Sequence, residues 1–202
     1  PIVSDNRVHD GRSCGVSVCG GGLGKFMDNN IADNATAGVE CGPGAGTAPS
    51  MSGNTIKGNS ACGVYCHGPA TAGSFRLNKV FENAVAGFLI EQGAAPSVLN
   101  NEIFGHCNPS DTSSGVCTSQ GGVGVVTGNN IHDNAVNVLG MTDGLTEFVS
   151  NTLSAAMVYG LLVVCGGQPL FSGGNVISAS LGAANVHVES GGAPVFRGKG
   201  NE

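Results

Sequence analysis

Four aspartates near the start of the chain have the spacing that comes closest to a catalytic pattern. Asp5 and Asp28 are 23 positions apart, and so are Asp10 and Asp33. If the chain repeats at that interval, all four side chains would lie on the first two neighbouring coils. Paired carboxylates suit glycoside hydrolysis or the binding of a hard cation such as calcium. Aspartate is also common in turns, so these residues are weak candidates and no catalytic residue is assigned.

Two other patterns could support chemistry. The dipeptides His9-Asp10 and His132-Asp133 place an imidazole beside a carboxylate, which suggests acid–base catalysis. Neighbouring side chains of an extended segment point in different directions, however, so a repeated turn sequence explains both pairs better. The segment Cys62–His67 contains two cysteines and a histidine and is a weak candidate for a soft metal. We predict no metal and no cofactor.

The eight cysteines leave the compartment undecided. Cys41 and Cys66 occupy the same position in consecutive repeats, where a thiol can serve as a small hydrophobic side chain. Cys107 and Cys117 bracket an insertion and could form a disulfide across it in an oxidising compartment. Free thiols would favour the cytoplasm, whereas disulfides would favour secretion.

These residues lie on a repeat that runs through the whole chain. Each repeat has the skeleton Asn, any residue, an aliphatic residue, two further residues and a second Asn. The mean interval is about 24 residues, which is typical of a solenoid. The first asparagines of the skeleton are Asn6, Asn29, Asn54, Asn78, Asn101, Asn129, Asn151, Asn175 and Asn201. Apolar residues follow two positions later, at Val8, Ile31, Ile56, Val80, Ile103, Ile131, Leu153 and Ile177.

The apolar positions within each repeat alternate with polar or small residues, which indicates short strands. Three strands per repeat predict an all-β fold, a parallel β-helix of about eight coils, as a single domain over residues 1–202. The second asparagines are expected to stack as a hydrogen-bonded ladder, and are Asn34, Asn59, Asn83 and Asn134. Both ends fall in mid-coil, so we expect the chain to be a piece of a longer protein.

Composition excludes two classes of partner. The net charge is −6 with only eight Lys and Arg, which argues against nucleic acid. No apolar run approaches the ~18–20 residues that a membrane-spanning helix needs.

Outward apolar residues form the second candidate site. Phe81 and Phe104 occupy the same outward position on consecutive coils, and Tyr65 and Leu89 do so on the third strand. Exposed apolar patches mark protein contacts, and aromatic rings can also hold sugars. The insertion at residues 107–114 could mark the binding face.

The repeats resemble those of right-handed parallel β-helix proteins in the pectin-lyase-like superfamily, known as carbohydrate-binding and sugar-hydrolase repeats. The resemblance is carried by Asn129–Asn134, Asn78–Phe88 and Ala95–Val98. It implies the fold but no single activity. The short coils are most similar to the β-helix of F-box adaptor proteins, and polyuronate epimerases and lyases share the repeat. Of the polygalacturonase motifs only Arg197-Gly198-Lys199 is present, without acidic partners, so no catalytic residue is carried over.

Two functions follow from these observations. The favoured hypothesis is a non-enzymatic scaffold that binds another protein, as an adaptor or substrate-recognition domain. The alternative is a carbohydrate-binding or polysaccharide-degrading domain acting at the acidic patch of Asp5, Asp10, Asp28 and Asp33. If the chain is an enzyme, the expected activity is that of a glycoside hydrolase or polysaccharide lyase. Open solenoid ends also make self-association possible.

Overall fold

The computed structural model describes residues 1–108 and 112–198, which form a parallel β-solenoid. These residues contain 25 strands in three sheets and no helix. No segment among them is therefore a helix able to cross a membrane. Each coil contributes one strand to each of three sheets, which we call A, B and C. The prediction of an all-β parallel β-helix with coils of about 24 residues is confirmed.

Each sheet collects one strand from every coil. Sheet A consists of β1 (Ile2–Ser4), β4 (Lys25–Met27), β7 (Ser50–Ser52), β10 (Ser74–Arg76), β13 (Ser97–Leu99), β16 (Val125–Thr127), β19 (Glu147–Val149), β22 (Leu170–Ser172) and β25 (Val195–Arg197). Sheet B consists of β2 (Arg7–His9), β5 (Asn30–Ala32), β8 (Thr55–Lys57), β11 (Lys79–Phe81), β14 (Glu102–Phe104), β17 (Asn130–His132), β20 (Thr152–Ser154) and β23 (Val176–Ser178). Sheet C consists of β3 (Val16–Val18), β6 (Val39–Cys41), β9 (Cys62–His67), β12 (Ala86–Glu91), β15 (Ser114–Thr118), β18 (Val136–Gly140), β21 (Tyr159–Val163) and β24 (Ala184–Val188).

Strand pairing follows the sequence repeat. Phe75 of β10 lies opposite Met51 of β7 and Val98 of β13, and all three side chains are fully buried. On sheet B the aliphatic residue two positions after each anchor asparagine lies opposite its counterpart, as Val80 does with Ile103. Stacking like residues on like keeps every apolar column inside the solenoid, since a shift of one residue would turn the column outward.

An asparagine ladder fills the corner between sheets A and B. The side-chain oxygen of Asn78 accepts hydrogen bonds from the main-chain and side-chain N–H groups of Asn54, at 2.9 and 3.0 Å. Asn78 repeats both bonds with Asn101, and its amide also donates to the main-chain oxygen of Met51. The same pattern continues from Asn6 to Asn175. The anchor asparagines are thus structural, because they satisfy main-chain groups buried at the turn.

A second ladder fills the corner between sheets B and C, as the sequence predicts. Asn34, Asn59 and Asn83 are linked by side-chain hydrogen bonds of 2.9 and 2.8 Å. The next member is His106, which is fully buried and was missed by the sequence analysis. The ladder then reaches Asn134.

Sheet C is wider than the other two sheets from the third coil onward. Every strand of sheets A and B has three residues, whereas β9 and β12 have six and β15, β18 and β21 have five. Each of these longer strands places two residues in the core, such as Val64 with Cys66 and Phe88 with Ile90, and also extends further along the coil. The consequence is a broad outer surface on this side of the solenoid.

Candidate glycan-binding face on sheet C

The four aspartates occupy two different corners. Asp5 and Asp28 lie between sheets A and B, and Asp10 and Asp33 lie between sheets B and C. All four have positive φ angles, of 58, 54, 57 and 56°. Aspartate tolerates this left-handed conformation better than most residues. A three-residue strand separates the two pairs, so the structure explains these residues as turn formers, and they do not enter the site proposed below.

Phe81 and Phe104 form a closed stack on the outer face of sheet B. Their rings are 4.9 Å apart and nearly parallel, and His132 stacks on Phe104 at 5.2 Å. Lys57 lies opposite Phe81 in the preceding coil, with its Nζ 5.6 Å from the Phe81 ring centre. The ring faces are therefore covered by neighbours within the stack. No free ring face remains on Phe81 or Phe104 for a sugar, which removes the reason for expecting a sugar there.

The cysteine patterns do not form the predicted sites. All eight cysteines are free thiols, so Cys107 and Cys117 do not form a disulfide. Cys66 points into the core, whereas Cys62 belongs to an outward cluster, so the two cannot share a metal with His67. No group of three metal-binding side chains exists within residues 1–108 and 112–198. The middle of the insertion, residues 109–111, lies outside the described part of the chain.

Two glutamates, a tyrosine and a histidine meet on the outer face of sheet C. The Tyr65 hydroxyl donates a 2.6 Å hydrogen bond to Glu91 Oε1. The Tyr65 ring also stacks on His67, with ring centres 4.3 Å apart. His67 Nε2 lies 3.1 Å from Glu40 Oε1, and a carboxylate can only accept, so this nitrogen donates. Contacts between successive coils thus connect Glu40, His67, Tyr65 and Glu91, which we name the Glu–Tyr–His cluster.

Hydrogen bonds orient both carboxylates of this cluster. Glu91 accepts from the hydroxyl of Ser119 at 3.2 Å and from the amide of Gln92 at 3.3 Å, in addition to Tyr65. Glu40 also accepts from the Cys14 thiol at 3.5 Å. These additional donors are neutral groups, and no Lys or Arg of residues 1–108 and 112–198 forms an ion pair with Glu40 or Glu91.

Burial and the neighbouring carboxylate keep the phenol of Tyr65 protonated. Partial burial raises its pKa, and the hydrogen bond to Glu91 raises the pKa further because ionisation would place two negative charges together. Tyr65 is consequently an uncharged hydrogen-bond donor at neutral pH and a weaker acid than an ordinary tyrosine. Burial likewise raises the pKa of the nearby Cys62 thiol to about 12, with a smaller contribution from Glu91. That thiol is therefore not an activated nucleophile.

The later coils continue the same face as an apolar patch. Leu89 lies here opposite Tyr65, so the two outward residues predicted on the third strand do meet, but on a different sheet from Phe81 and Phe104. The apolar patch consists of Cys62, Ala86, Cys117, Val136, Leu139 and Leu162, with Tyr65, Leu89, Met141, Tyr159 and Val164 packed against it.

Two cavities open on this face. One of about 430 Å³ lies over the Glu–Tyr–His cluster and is lined by Ser13, Thr36, Ala37, Glu40, Ala61, Cys62, Tyr65, Val85 and Leu89. Another of about 370 Å³ lies over the apolar patch and is lined by Val85, Thr112, Ser114, Cys117, Leu139, Met141, Leu162, Val164, Cys165, Glu189 and Ser190. Val85 borders both, so the cavities adjoin along the solenoid axis and together form a groove.

The far end of the face carries a second tyrosine–histidine stack. Tyr159 and His187 lie with ring centres 4.7 Å apart, and His187 Nε2 is 3.4 Å from Glu189 Oε2. Both tyrosines of the chain thus lie on the outer face of sheet C. Sequence analysis missed Glu40, Glu91 and this second stack. The strand periodicity marks these residues as outward, but contacts between residues 26 and 27 positions apart appear only when exact register is known.

Comparison with known proteins agrees with this architecture. A family model described as a right-handed β-helix region matches residues 1–80. The A-module of the mannuronan C-5 epimerase AlgE6 from Azotobacter vinelandii superposes with a TM-score of 0.68 at 23% identity, over 98% of this chain and 58% of that one. A mutant of the periplasmic alginate epimerase AlgG superposes with a TM-score of 0.68 at 13% identity, over 97% of this chain and 49% of that one. No curated protein sequence matches the chain.

These findings define the class of protein. The chain is a right-handed parallel β-helix repeat protein, as its repeats predicted. At identities below 25% the two epimerase structures show the shared fold alone, and the chain spans about half the length of each. The particular likeness to F-box adaptors has no support among these matches.

Proposed function

We propose that this β-helix binds a polysaccharide lengthwise along the outer face of sheet C, with the Glu–Tyr–His cluster as its main polar site. The observation that carries the proposal is the connected set of Glu40, Tyr65, His67 and Glu91, of which Glu40 and Tyr65 line a groove. Such a set offers fixed donors and acceptors beside an apolar surface, which is how sites for small polar ligands are commonly built. The names of the structural neighbours, both epimerases of polysaccharides, support a carbohydrate ligand over an adaptor role.

The geometry of the groove suits an extended polymer. It runs across several coils, each ~4.8 Å from the next, with a tyrosine–histidine stack near either end. Apolar side chains between the stacks can pack against the C–H faces of sugar rings, while the two polar ends bind hydroxyl groups. The face therefore differs from the closed stack on sheet B, whose aromatic rings contact only one another and charged neighbours.

The properties of Tyr65 favour binding over catalysis. Its raised pKa keeps the phenol protonated and makes it a weaker acid than an ordinary tyrosine, while the Glu91 carboxylate holds the ring in position. The protein-binding hypothesis retains one observation in its favour, the apolar patch on the later coils. A protein partner would depend on that patch and be indifferent to the Glu–Tyr–His cluster.

Binding measurements on the purified chain test the proposal. Isothermal titration calorimetry with soluble polysaccharide oligomers of differing charge should show binding of at least one oligomer. Tyr65→Phe should weaken its binding about tenfold, since the substitution removes a hydroxyl group from the groove and the hydrogen bond that orients Glu91. Phe104→Leu on sheet B is the matched control, because it alters an aromatic residue on a neighbouring face and should leave the affinity unchanged.

Two results would contradict the proposal. One is that no oligomer of any charge binds. The other is that a bound oligomer is insensitive to Tyr65→Phe while a substitution on sheet B abolishes binding. Thermal unfolding of each variant shows whether the fold is retained, so that a loss of binding can be assigned to the face itself.

A further inference from the structure

The basic residues of the chain avoid the outer face of sheet C. The chain has eight Lys and Arg, of which seven lie within the described residues 1–108 and 112–198. None of these seven is on a strand of sheet C. Arg12 lies in the loop that leads into sheet C, and the other six are on strands of sheets A and B, namely Arg7, Lys25, Lys57, Arg76, Lys79 and Arg197.

Three carboxylates, in contrast, lie on or beside that face. Glu40, on β6, lines one end of the groove, and Glu91, on β12, is hydrogen-bonded to Tyr65 there. Glu189 lines the cavity at the other end. Glu40 and Glu91 are held by Cys14, His67, Tyr65, Gln92 and Ser119, as described above. A bound ligand would exclude water from these carboxylates, and burying a charge is costly unless the charge is paired.

The ligand must therefore be compatible with uncompensated negative charge. A polyuronate would place its own carboxylates next to Glu40 and Glu91. No Lys or Arg lies on a described strand of sheet C to separate these like charges, which repel at short range. A protonated amino group on a sugar would instead form charge-assisted hydrogen bonds with the same carboxylates. The charge pattern of the groove thus favours a ligand of opposite charge to alginate, the substrate in the names of the structural neighbours.

A buried hydroxyl gives independent support for a polar ligand in the groove. Ser114 is 1% exposed, its Oγ has no hydrogen-bond partner among the described residues, and it lines the cavity over the apolar patch. An unpaired buried hydroxyl costs free energy unless a ligand or water satisfies it. A hydroxyl of a bound sugar would pair with Ser114 while its neighbouring ring packs against Cys117 and Leu139.

We propose that the natural ligand of the sheet C face is an amino-sugar polysaccharide, whose protonated amines pair with Glu40 and Glu91. This inference rests on the proposed function, since it specifies the class of glycan that the same face binds.

Three oligomer series that differ in charge test the inference. Isothermal titration calorimetry would compare the affinities for oligomers of glucosamine, N-acetylglucosamine and galacturonate, at a pH where the amines are protonated. We expect glucosamine oligomers to bind about tenfold or more tightly than their N-acetylated counterparts, and galacturonate oligomers not to bind. Added salt should weaken the binding of glucosamine oligomers, because screening acts on exposed charge pairs.

Matched variants assign the effect to the two carboxylates. Glu40→Gln and Glu91→Gln should each weaken glucosamine binding about tenfold and leave the weak binding of N-acetylated oligomers unchanged. Glu102→Gln is the control, because Glu102 is a carboxylate on sheet B, paired with Lys79 at 3.1 Å. It should change neither affinity.

The outcomes separate this inference from the proposed function. Two results would overturn the amino-sugar inference and leave the glycan-binding face standing, provided that Tyr65→Phe weakens the binding observed. One is preferential binding of galacturonate oligomers. The other is equal binding of the glucosamine and N-acetylglucosamine oligomers. If none of the three series binds, the proposed function itself fails. Should a glutamate variant fail to fold, the charge preference and salt dependence of the unaltered chain still decide the question.

Discussion

The two corners that flank sheet B are built from the same residue type but differ in regularity. Between sheets A and B, asparagines follow one another from Asn6 to Asn175, each bonded to the next. Between sheets B and C, the ladder is interrupted by His106 and turns aside at Asn134, whose amide donates to Asn137. The regular corner defines the coil, and the irregular corner borders the groove on sheet C.

The difference between the two corners shows which part of each coil can vary without loss of the fold. One uniform ladder is enough to hold the turn geometry of every coil. The insertion after Cys107, the wider strands and the Glu–Tyr–His cluster all lie on or beyond the other corner. Departures from the repeat are therefore grouped beside the proposed glycan-binding face, as expected when binding residues are placed on a rigid scaffold.

The largest expected effect comes from breaking the regular ladder. Asn78→Ala should lower the free energy of unfolding by about 4 kcal/mol, because several buried donors and acceptors lose partners together. Chemical denaturation measures the change. Asn130→Ala is the control, since Asn130 is exposed on the outer face of sheet B and should cost less than about 0.5 kcal/mol. A loss below about 1 kcal/mol for Asn78→Ala would show that the ladder is not a main source of stability.

Lowering the pH should destabilise the protein through His106, in the corner between sheets B and C. Burial lowers the pKa of His106 to about 4 from its ordinary 6.5, because the charged ring would lose its contact with water, and the hydrogen bond to Asn134 offsets only part of this loss. A proton is then bound more readily by the unfolded chain than by the folded one. Stability from this residue is complete above pH 6.5 and falls as the pH is lowered toward 4, by roughly 3 kcal/mol in total.

Denaturation at a series of pH values, with His106→Asn as the comparison, measures this contribution. The asparagine variant restores the residue that other coils carry at this position and cannot titrate. Its stability should change less than that of the original chain between pH 6.5 and 4. Parallel pH profiles for the two proteins would contradict the assignment of acid sensitivity to His106.

The smallest expected effect concerns the stack between the two corners. Phe104→Ala removes the central ring between Phe81 and His132 and should cost about 1 kcal/mol of stability, a typical value for half-buried stacked rings. Glycan affinity should not change, because the stack lies on sheet B. A loss of affinity without loss of stability would show instead that the stack contributes to binding.

Much of the fold could be predicted from the sequence because the same residue pattern recurs in every coil. The aliphatic residue two positions after each asparagine recurs in eight coils, and a strand pattern seen eight times leaves little ambiguity about period or orientation. Outward residues such as Phe81 and Tyr65 could also be recognised by their phase. What the phase could not show is that neighbouring side chains cover the ring of Phe81, while Tyr65 borders a groove.

The acidic candidates illustrate the same limit. Asp5 and Asp10 are close in sequence and share the repeat with Asp28 and Asp33, which suggested one patch. They lie instead at separate corners, on either side of a strand of sheet B, where all four have left-handed φ angles. Glu40 and Glu91, which do reach a common cluster, are 51 positions apart and carry no motif.

For this chain the sequence by itself determined the coil. Its period, its three strands, its inward columns and the ladder of Asn34, Asn59, Asn83 and Asn134 all follow from side-chain types at fixed intervals. Only the tertiary structure decided which outward side chains meet, because a contact between coils depends on register and rotamer. His67 therefore reaches Glu40, Tyr65 reaches Glu91, and His106 takes the place of an asparagine, in positions that the sequence alone did not distinguish from ordinary surface or turn residues.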